Sequence, residues 1–229
     1  FNKKHPACGK TAEFIFSVQT EEGDFRGMIG NQYATYYTGL FLYLLIKAGY
    51  EKDKRVEKGL EWLISFRQDD GGWVIPYRTI DKGELKKRYN YEAQMKLDPI
   101  KPDPKKPFSH LVTGMVLRAF SASDKWMKSD AARSTGDLII SRFFRPDAYE
   151  DRQQAYFWKE LTFPFWATDI LSSLDAMAKI GMPVENEGIK QALSWLLRKQ
   201  NRNGYWEAGF KKSTIEDHLW VTLSVLKVL

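Results

Sequence analysis

The sequence has a single cysteine, Cys8, and no apolar run long enough to cross a membrane. One cysteine excludes an intramolecular disulfide and any zinc site built from several cysteines. The longest apolar run, 39–46, ends at Lys47, whereas a transmembrane helix needs about 20 apolar residues. No signal peptide is visible. We therefore expect a cytoplasmic protein with no membrane span.

Several motifs that mark common enzyme and binding classes are also missing. The sequence has no serine nucleophile elbow, no HExxH and no glycine-rich phosphate loop. It has no RNA-binding or helix-turn-helix signature either. The sequence therefore predicts no nucleic-acid partner, no nucleotide or other cofactor and no metal site. It gives no indication of the oligomeric state.

Hydrophobic residues, in contrast, are plentiful. The 229 residues are 43% hydrophobic and 14% aromatic, which is enough for the core of one domain spanning 1–229. Much of the net charge of +6 lies in 82–107, which has eight basic residues, four acidic residues and four of the nine prolines. Because proline breaks helices, this segment is predicted to be an extended, solvated insertion.

A spacing pattern occurs three times along the chain. The pairs Phe14 and Phe25, Trp62 and Trp73, and Trp195 and Trp206 are each eleven residues apart, with a glutamine and a glycine between them. In each pair a glycine stands two residues before the second aromatic. Three such matches indicate an internal repeat. The glutamine is expected to bond free carbonyls at the end of a helix.

A second set of apolar stretches carries threonines near the start, at Thr38, Thr113, Thr168 and Thr222. The last two intervals are 55 and 54 residues, and the first is 75 because it contains the insertion. These stretches are apolar nearly all round and should be buried inner helices, whereas the tryptophan-bearing helices have a charged face and should lie outside. The pattern predicts an all-α fold of helical hairpins closed into an (α/α) toroid.

Eight helices follow from this repeat. The four outer helices are predicted at 10–20, 54–67, 130–144 and 186–199, and the four inner helices at 33–48, 109–121, 165–180 and 216–229. Gly49 and Gly181, which follow inner helices, are predicted C-terminal stops.

The repeat resembles the QW motif of the prenyltransferase and squalene-oxidase repeat superfamily, which includes terpenoid cyclases. The motif residues of the two best copies are Lys58, Gly59, Trp62, Gln68, Gly72 and Trp73, and Lys190, Trp195, Gln200, Gly204 and Trp206. This resemblance implies a toroid around an aromatic cavity that binds a hydrophobic, isoprenoid ligand. Similar helical toroids also serve polysaccharide lyases and hydrolases.

Two departures from the superfamily concern its chemistry. The DxDD motif, with which class II terpene cyclases protonate their substrate, is absent. Protein prenyltransferases hold zinc through an aspartate, a cysteine two residues later and a histidine, but Pro6 stands two residues before Cys8. The resemblance therefore assigns no reaction, and enzymatic activity stays open.

The N-terminal ends of the inner helices should converge on one mouth of the toroid, and the same offset before each threonine selects the candidate site. The predicted ligand-binding residues are Tyr36, Tyr37, His110, Trp166 and Trp220, with Phe165 beside them. The catalytic candidates are His110, Asp217, His218 and Asp169. Of these, His110 and His218 with Asp217 could form a general acid and base pair; the same three could hold a metal, although the sequence has no recognised metal motif. Helix capping is the alternative role for these residues.

Three functions remain open at this point. The first is binding of a hydrophobic ligand in an aromatic cavity. The second is a carbohydrate-active toroid in which aromatic rings stack on sugars and Asp217, Asp169 or Glu216 supply acid and base groups. The third is a non-catalytic interaction scaffold. A closed apolar cavity would favour the first, an open cleft with paired carboxylates the second, and a filled core the third.

Overall fold

The computed structural model describes residues 2–26, 30–88, 90–150, 154–209 and 212–229. Over these residues the secondary structure is helical, apart from one isolated parallel bridge between Gln32 and Ile100. None of the described helices is long and apolar enough to span a membrane. The α-helices are α1 (Pro6–Ser17), α2 (Thr35–Leu45), α3 (Lys54–Ser65), α4 (Lys82–Lys87), α5 (Tyr91–Met95), α6 (His110–Ala122), α7 (Asp130–Arg142), α8 (Ile170–Lys179), α9 (Glu187–Leu197) and α10 (Ile215–Leu226).

All eight helices predicted from the repeat are present, and their ends follow local capping. Helix α1 begins at Pro6, earlier than predicted, because the His5 side chain accepts the Ala7 N–H and proline suits the first helical turn. Helix α8 begins five residues later than predicted because Asp169 is its N-cap. Gly49 and Gly181 have φ angles of 95° and 70°, the left-handed conformation expected of stops.

Helix α6 lies at the centre of the fold. It packs against α2 on one side and α8 on the other, while α7 lies against its outer surface. Leu117 belongs to the core shared with α8, α9 and α10, whereas Val112 and Phe120 belong to the core shared with α1, α2 and α3. The helix is therefore the wall between two hydrophobic cores.

The prediction that every inner helix is buried is wrong for α10. In α6, 11 of 13 residues are buried, but only Val221, Ser224 and Val225 are buried in α10. The sequence pattern records the apolar residues of a helix and does not show whether a neighbouring element covers them.

The first part of the predicted insertion contains the short helices α4 and α5, so the expectation that it is extended is wrong there. A capping aspartate explains the first helix, since the Asp81 carboxylate accepts the Glu84 N–H. The later part packs on the fold. Ile100 is buried, its N–H donates to Asn31 O, and its carbonyl accepts the Tyr33 N–H.

The three aromatic frames end in equivalent turns. Gly23, Gly71 and Gly204 have φ angles of 115°, 91° and 86°, a conformation in which residues with a side chain are strained. Each glycine N–H donates to the carbonyl three residues earlier. The aromatic residue follows two positions later, so the turn fixes where its ring enters the core.

The aromatic residue after each turn is anchored to the threonine of the inner helix. The Phe25, Trp73 and Trp206 backbone N–H groups donate to the hydroxyls of Thr38, Thr113 and Thr222, at 3.1, 3.0 and 2.9 Å. The Trp73 and Trp206 indoles also donate to Leu63 O and Leu196 O, both at 2.7 Å. Trp73 and Trp206 thus join the helix before their turn to the helix that carries the anchor threonine.

The glutamines of the frames bond backbone carbonyls, as predicted. Gln19 donates to Gly23 O and to Arg55 O in the second outer helix, and Gln200 donates to Gly204 O. Gln68 stands six residues after the first aromatic of its frame, whereas the other two glutamines stand five residues after theirs. It donates to Asp103 O and Lys106 O in the insertion. Arg67 takes the equivalent place and donates to Ala131 O at the start of α7.

Candidate binding site at the start of the inner helices

Two tryptophans are exposed, one in the segment before α8 and the other in the middle of α10. The exposed fractions of Trp166 and Trp220 are 60% and 47%. Both stand two residues before the anchor threonine of their unit. Phe163 stacks on Trp220 with ring centroids 6.1 Å apart and meets Phe165 edge to face at 5.2 Å. We call Phe163, Trp166 and Trp220 the aromatic surface.

A buried arginine holds the segment that carries this surface. Arg118 donates to Phe165 O at 2.7 Å and to Trp166 O at 3.0 Å. Burial lowers the pKa of Arg118, partly offset by Asp169, Tyr43 and Asp175. An arginine presents several donors in a rigid plane, so it can bind two neighbouring carbonyls at once. It therefore fixes the backbone beneath Trp166.

The segment is also bound to the start of α6. The Thr168 hydroxyl donates to Leu111 O at 2.6 Å. A side chain at Gly114 would meet the Thr168 side chain at 2.3–2.9 Å, so glycine is required for this close approach. Helix α6 thus lies in close contact with the segment that carries Trp166 into α8.

The two predicted tyrosines lie together on α2. The rings of Tyr36 and Tyr37 are 4.5 Å apart, and Tyr37 stacks on Phe41 at 5.8 Å. The Tyr36 hydroxyl accepts a hydrogen bond from the Gln32 amide at 3.1 Å. Both tyrosines are half-buried, which leaves part of each ring available for contact.

His110 lies in the core at the start of α6, with an exposed fraction of 2%. Its ring packs on Trp158, with centroids 4.4 Å apart, and its Nδ1 lies 3.4 Å from the Asp147 carboxylate. The same carboxylate accepts the Ser109 hydroxyl at 2.8 Å and the Leu111 N–H at 3.4 Å. The Asp147 carboxylate thus caps the start of α6, and His110 is buried beside it.

Asp169 is a buried N-cap. Its carboxylate accepts the Ser172 N–H at 2.7 Å, and the N–H and hydroxyl of Thr162 at 2.9 and 3.0 Å. Burial raises the pKa of Asp169, although these hydrogen bonds oppose the rise. With its oxygens bonded to the protein, Asp169 is bound to the start of α8 in a structural role.

Asp217 and His218 make local contacts at the start of α10. Asp217 forms a capping box with Thr214, and its hydrogen bonds with Thr214 lower its pKa. His218 accepts the Ala208 N–H through Nδ1 at 2.9 Å, and its ring stacks on Tyr205. Among the described residues, no three His, Cys, Asp or Glu side chains are grouped so as to hold a metal.

The sequence indicated Trp166 and Trp220, but three residues of this region were missed. Phe163 lies outside the predicted inner helix and carries no repeat signal, and Asp147 reaches His110 from a loop. Arg118 did have a signal, because it is a lone charge within the apolar stretch TGMVLRAF. A charge in a buried helix requires partners, which here are backbone carbonyls.

No protein-family model matches the sequence, and no curated protein matches it significantly. Among solved structures, the chain is similar to the apo type II terpene cyclase MstE from Scytonema, with a TM-score of 0.48 and 16% sequence identity. The similarity covers 96% of this chain and 57% of the cyclase. This chain thus spans just over half the length of that enzyme.

Proposed function

We propose that the chain is a terpenoid-cyclase-like (α/α) toroid that binds a hydrophobic ligand of the isoprenoid class at the aromatic surface. The outer helices are α1, α3, α7 and α9, and the inner helices are α2, α6, α8 and α10. The threonine anchor of three of the units supports this arrangement, because the same bond recurs between the turn after an outer helix and the inner helix of the same unit.

The observation that carries the ligand proposal is the exposure of Trp166 and Trp220. The free energy falls when large aromatic side chains leave water, so exposed rings on neighbouring segments indicate a surface that binds an apolar ligand. Phe163 extends the surface by stacking on Trp220. A branched, unsaturated hydrocarbon chain fits such a surface because it contacts rings along its length and requires no polar partner.

We assign no reaction to this site. The sequence lacks the DxDD acid and the zinc ligands of the two chemistries found in the superfamily. The buried Asp169 is bonded to the start of α8, and Asp217 is bonded to the start of α10. Binding is therefore the function that these residues support best.

Equilibrium binding of farnesol and geranylgeraniol tests the proposal. We expect micromolar affinity, and a loss of about tenfold or more when Trp166→Ala or Trp220→Ala removes one ring, equivalent to about 1.4 kcal/mol. Phe14→Ala is the matched control, because Phe14 is 67% exposed on α1, away from the aromatic surface. An equal loss in the control would contradict the proposal. So would the absence of binding to the wild type at a ligand concentration about 100 times the expected Kd.

A further inference from the structure

An open groove lies between the insertion and the loop before Trp158, and none of its lining residues belongs to the aromatic surface. It has a volume of about 890 Å³ and is lined by residues 77–81, 84–85, 103, 106–107 and 148–150. Its walls carry charges of both signs, with Asp81 and Glu84 on one side, Asp103 and Lys106 on another, and Glu150 beside Tyr149. A groove of this composition does not suit an isoprenoid.

Some polar groups of the groove are engaged in the fold and others are available. Asp81 caps α4, and Glu84 pairs with Lys87 and Arg88. Lys106 and Glu150 are exposed, and neither side chain bonds to another described residue. A donor and an acceptor of opposite charge therefore line the groove, and neither has a side-chain partner within the described part of the chain.

Two tyrosines supply the flat surfaces of the groove. The Tyr77 hydroxyl is buried and has no hydrogen-bond partner among the residues that the structure describes, and burial raises its pKa. The Tyr149 hydroxyl donates to Pro107 O. Burial, with the carboxylates of Asp147, Asp70 and Asp103, raises the pKa of Tyr149 to about 12. Both hydroxyls therefore stay protonated near neutral pH, and the Tyr77 hydroxyl is a buried donor for which the described residues supply no acceptor.

We infer that this groove binds a neutral oligosaccharide. Carboxylates outnumber cations along the walls, which disfavours an anion, while Lys106 disfavours a simple cation. A neutral sugar can donate hydroxyls to Glu150, accept from Lys106 and lay its C–H face on a tyrosine ring. A few polar groups that converge on a concave surface with flat aromatic faces are typical of binding sites. The inference is independent of the proposed function.

The test uses an array of neutral oligosaccharides built from glucose, mannose, xylose and galactose, followed by calorimetry with the tightest binder. We expect Glu150→Gln and Lys106→Met to weaken binding roughly fivefold to tenfold each, the loss of one hydrogen bond to a charged group. Tyr156→Phe is the control, because Tyr156 is an exposed tyrosine outside the groove.

Tyr77→Phe distinguishes a ligand contact from a structural effect. Removing a hydroxyl that has no partner in the free protein leaves the melting temperature unchanged or raises it. A fall in sugar affinity without a fall in melting temperature therefore supports a contact between the ligand and this hydroxyl.

Three results would overturn the inference. They are an array without a bound sugar, an affinity that none of the three groove variants changes, and competition by inorganic phosphate, which would indicate an anion site. Farnesol binding by the groove variants separates the two proposals, because it should match that of the wild type whether or not the sugar binds.

Discussion

Helices α6 and α10 occupy equivalent places in their repeats but have different surroundings. Four residues after the anchor threonine, Leu117 in α6 is fully buried, whereas Leu226 in α10 is 61% exposed. One residue after the anchor, α6 has Gly114 against Thr168, and α10 has Leu223, which is 44% exposed. Helix α6 has an inner helix on both sides. The comparison shows that the repeat specifies the helix and its anchor, while the neighbouring elements determine its burial.

The largest difference should appear at the paired leucines. Leu117→Ala removes a fully buried side chain and leaves a cavity, so we expect a loss of about 2–5 kcal/mol in the free energy of unfolding. Leu226→Ala, at the equivalent position, should change it by less than about 0.5 kcal/mol. Urea denaturation measures both values. Equal losses would show that α10 is covered in solution.

The close approach of α6 and α8 gives the next effect. An alanine at Gly114 would place its Cβ 2.3 Å from the Thr168 side chain, so Gly114→Ala should cost about 1–3 kcal/mol through overpacking. Gly9→Ala in α1 is the control. Its nearest neighbour is the Tyr50 hydroxyl at 3.9 Å, and the substitution should stabilise the protein by up to about 1 kcal/mol. A neutral Gly114→Ala would mean that the two helices are farther apart.

The anchor threonines of α6 and α10 should also differ in their contribution to stability, by a smaller amount. Thr113→Val leaves the Trp73 N–H buried without an acceptor, at a cost of about 1–3 kcal/mol. Thr222 is half-buried, so in Thr222→Val water can replace part of the lost bond to the Trp206 N–H, and we expect about 1 kcal/mol or less. Thermal unfolding measures both changes. The reverse order would show that burial of the backbone N–H does not set the cost of losing its acceptor.

The sequence predicted the helices well because each one carries a local signal. The apolar stretches, the capping residues and the glycines Gly49 and Gly181 act within a few residues of one another. The burial of α10 could not be predicted, since it depends on which element lies beside the helix. The role of His110 could not be predicted either, because its partner Asp147 is 37 positions away in a loop that has no repeat signal.

The candidate site was predicted only in part, because the role of a side chain depends on partners from other segments of the chain. Equal offsets from the threonines selected Trp166 and Trp220, and both are exposed. The offset cannot distinguish a side chain that faces a ligand from one that caps a helix, so Asp169 and Asp217 were selected with them. Hydrogen-bonding partners from other segments, such as Thr162 for Asp169, separate the two roles.

The central claim is that this chain has two kinds of tryptophan, those that anchor the fold and those that are free to bind a ligand. Hydrogen exchange of the indole N–H groups, followed by NMR with and without farnesol, tests it most directly. The account predicts that the Trp73 and Trp206 indoles, bonded to Leu63 O and Leu196 O, exchange only on global unfolding. The Trp166 indole should exchange at once and slow when farnesol is added. Similar exchange rates for Trp73 and Trp166, or protection by farnesol of Trp73 instead of Trp166, would contradict the account.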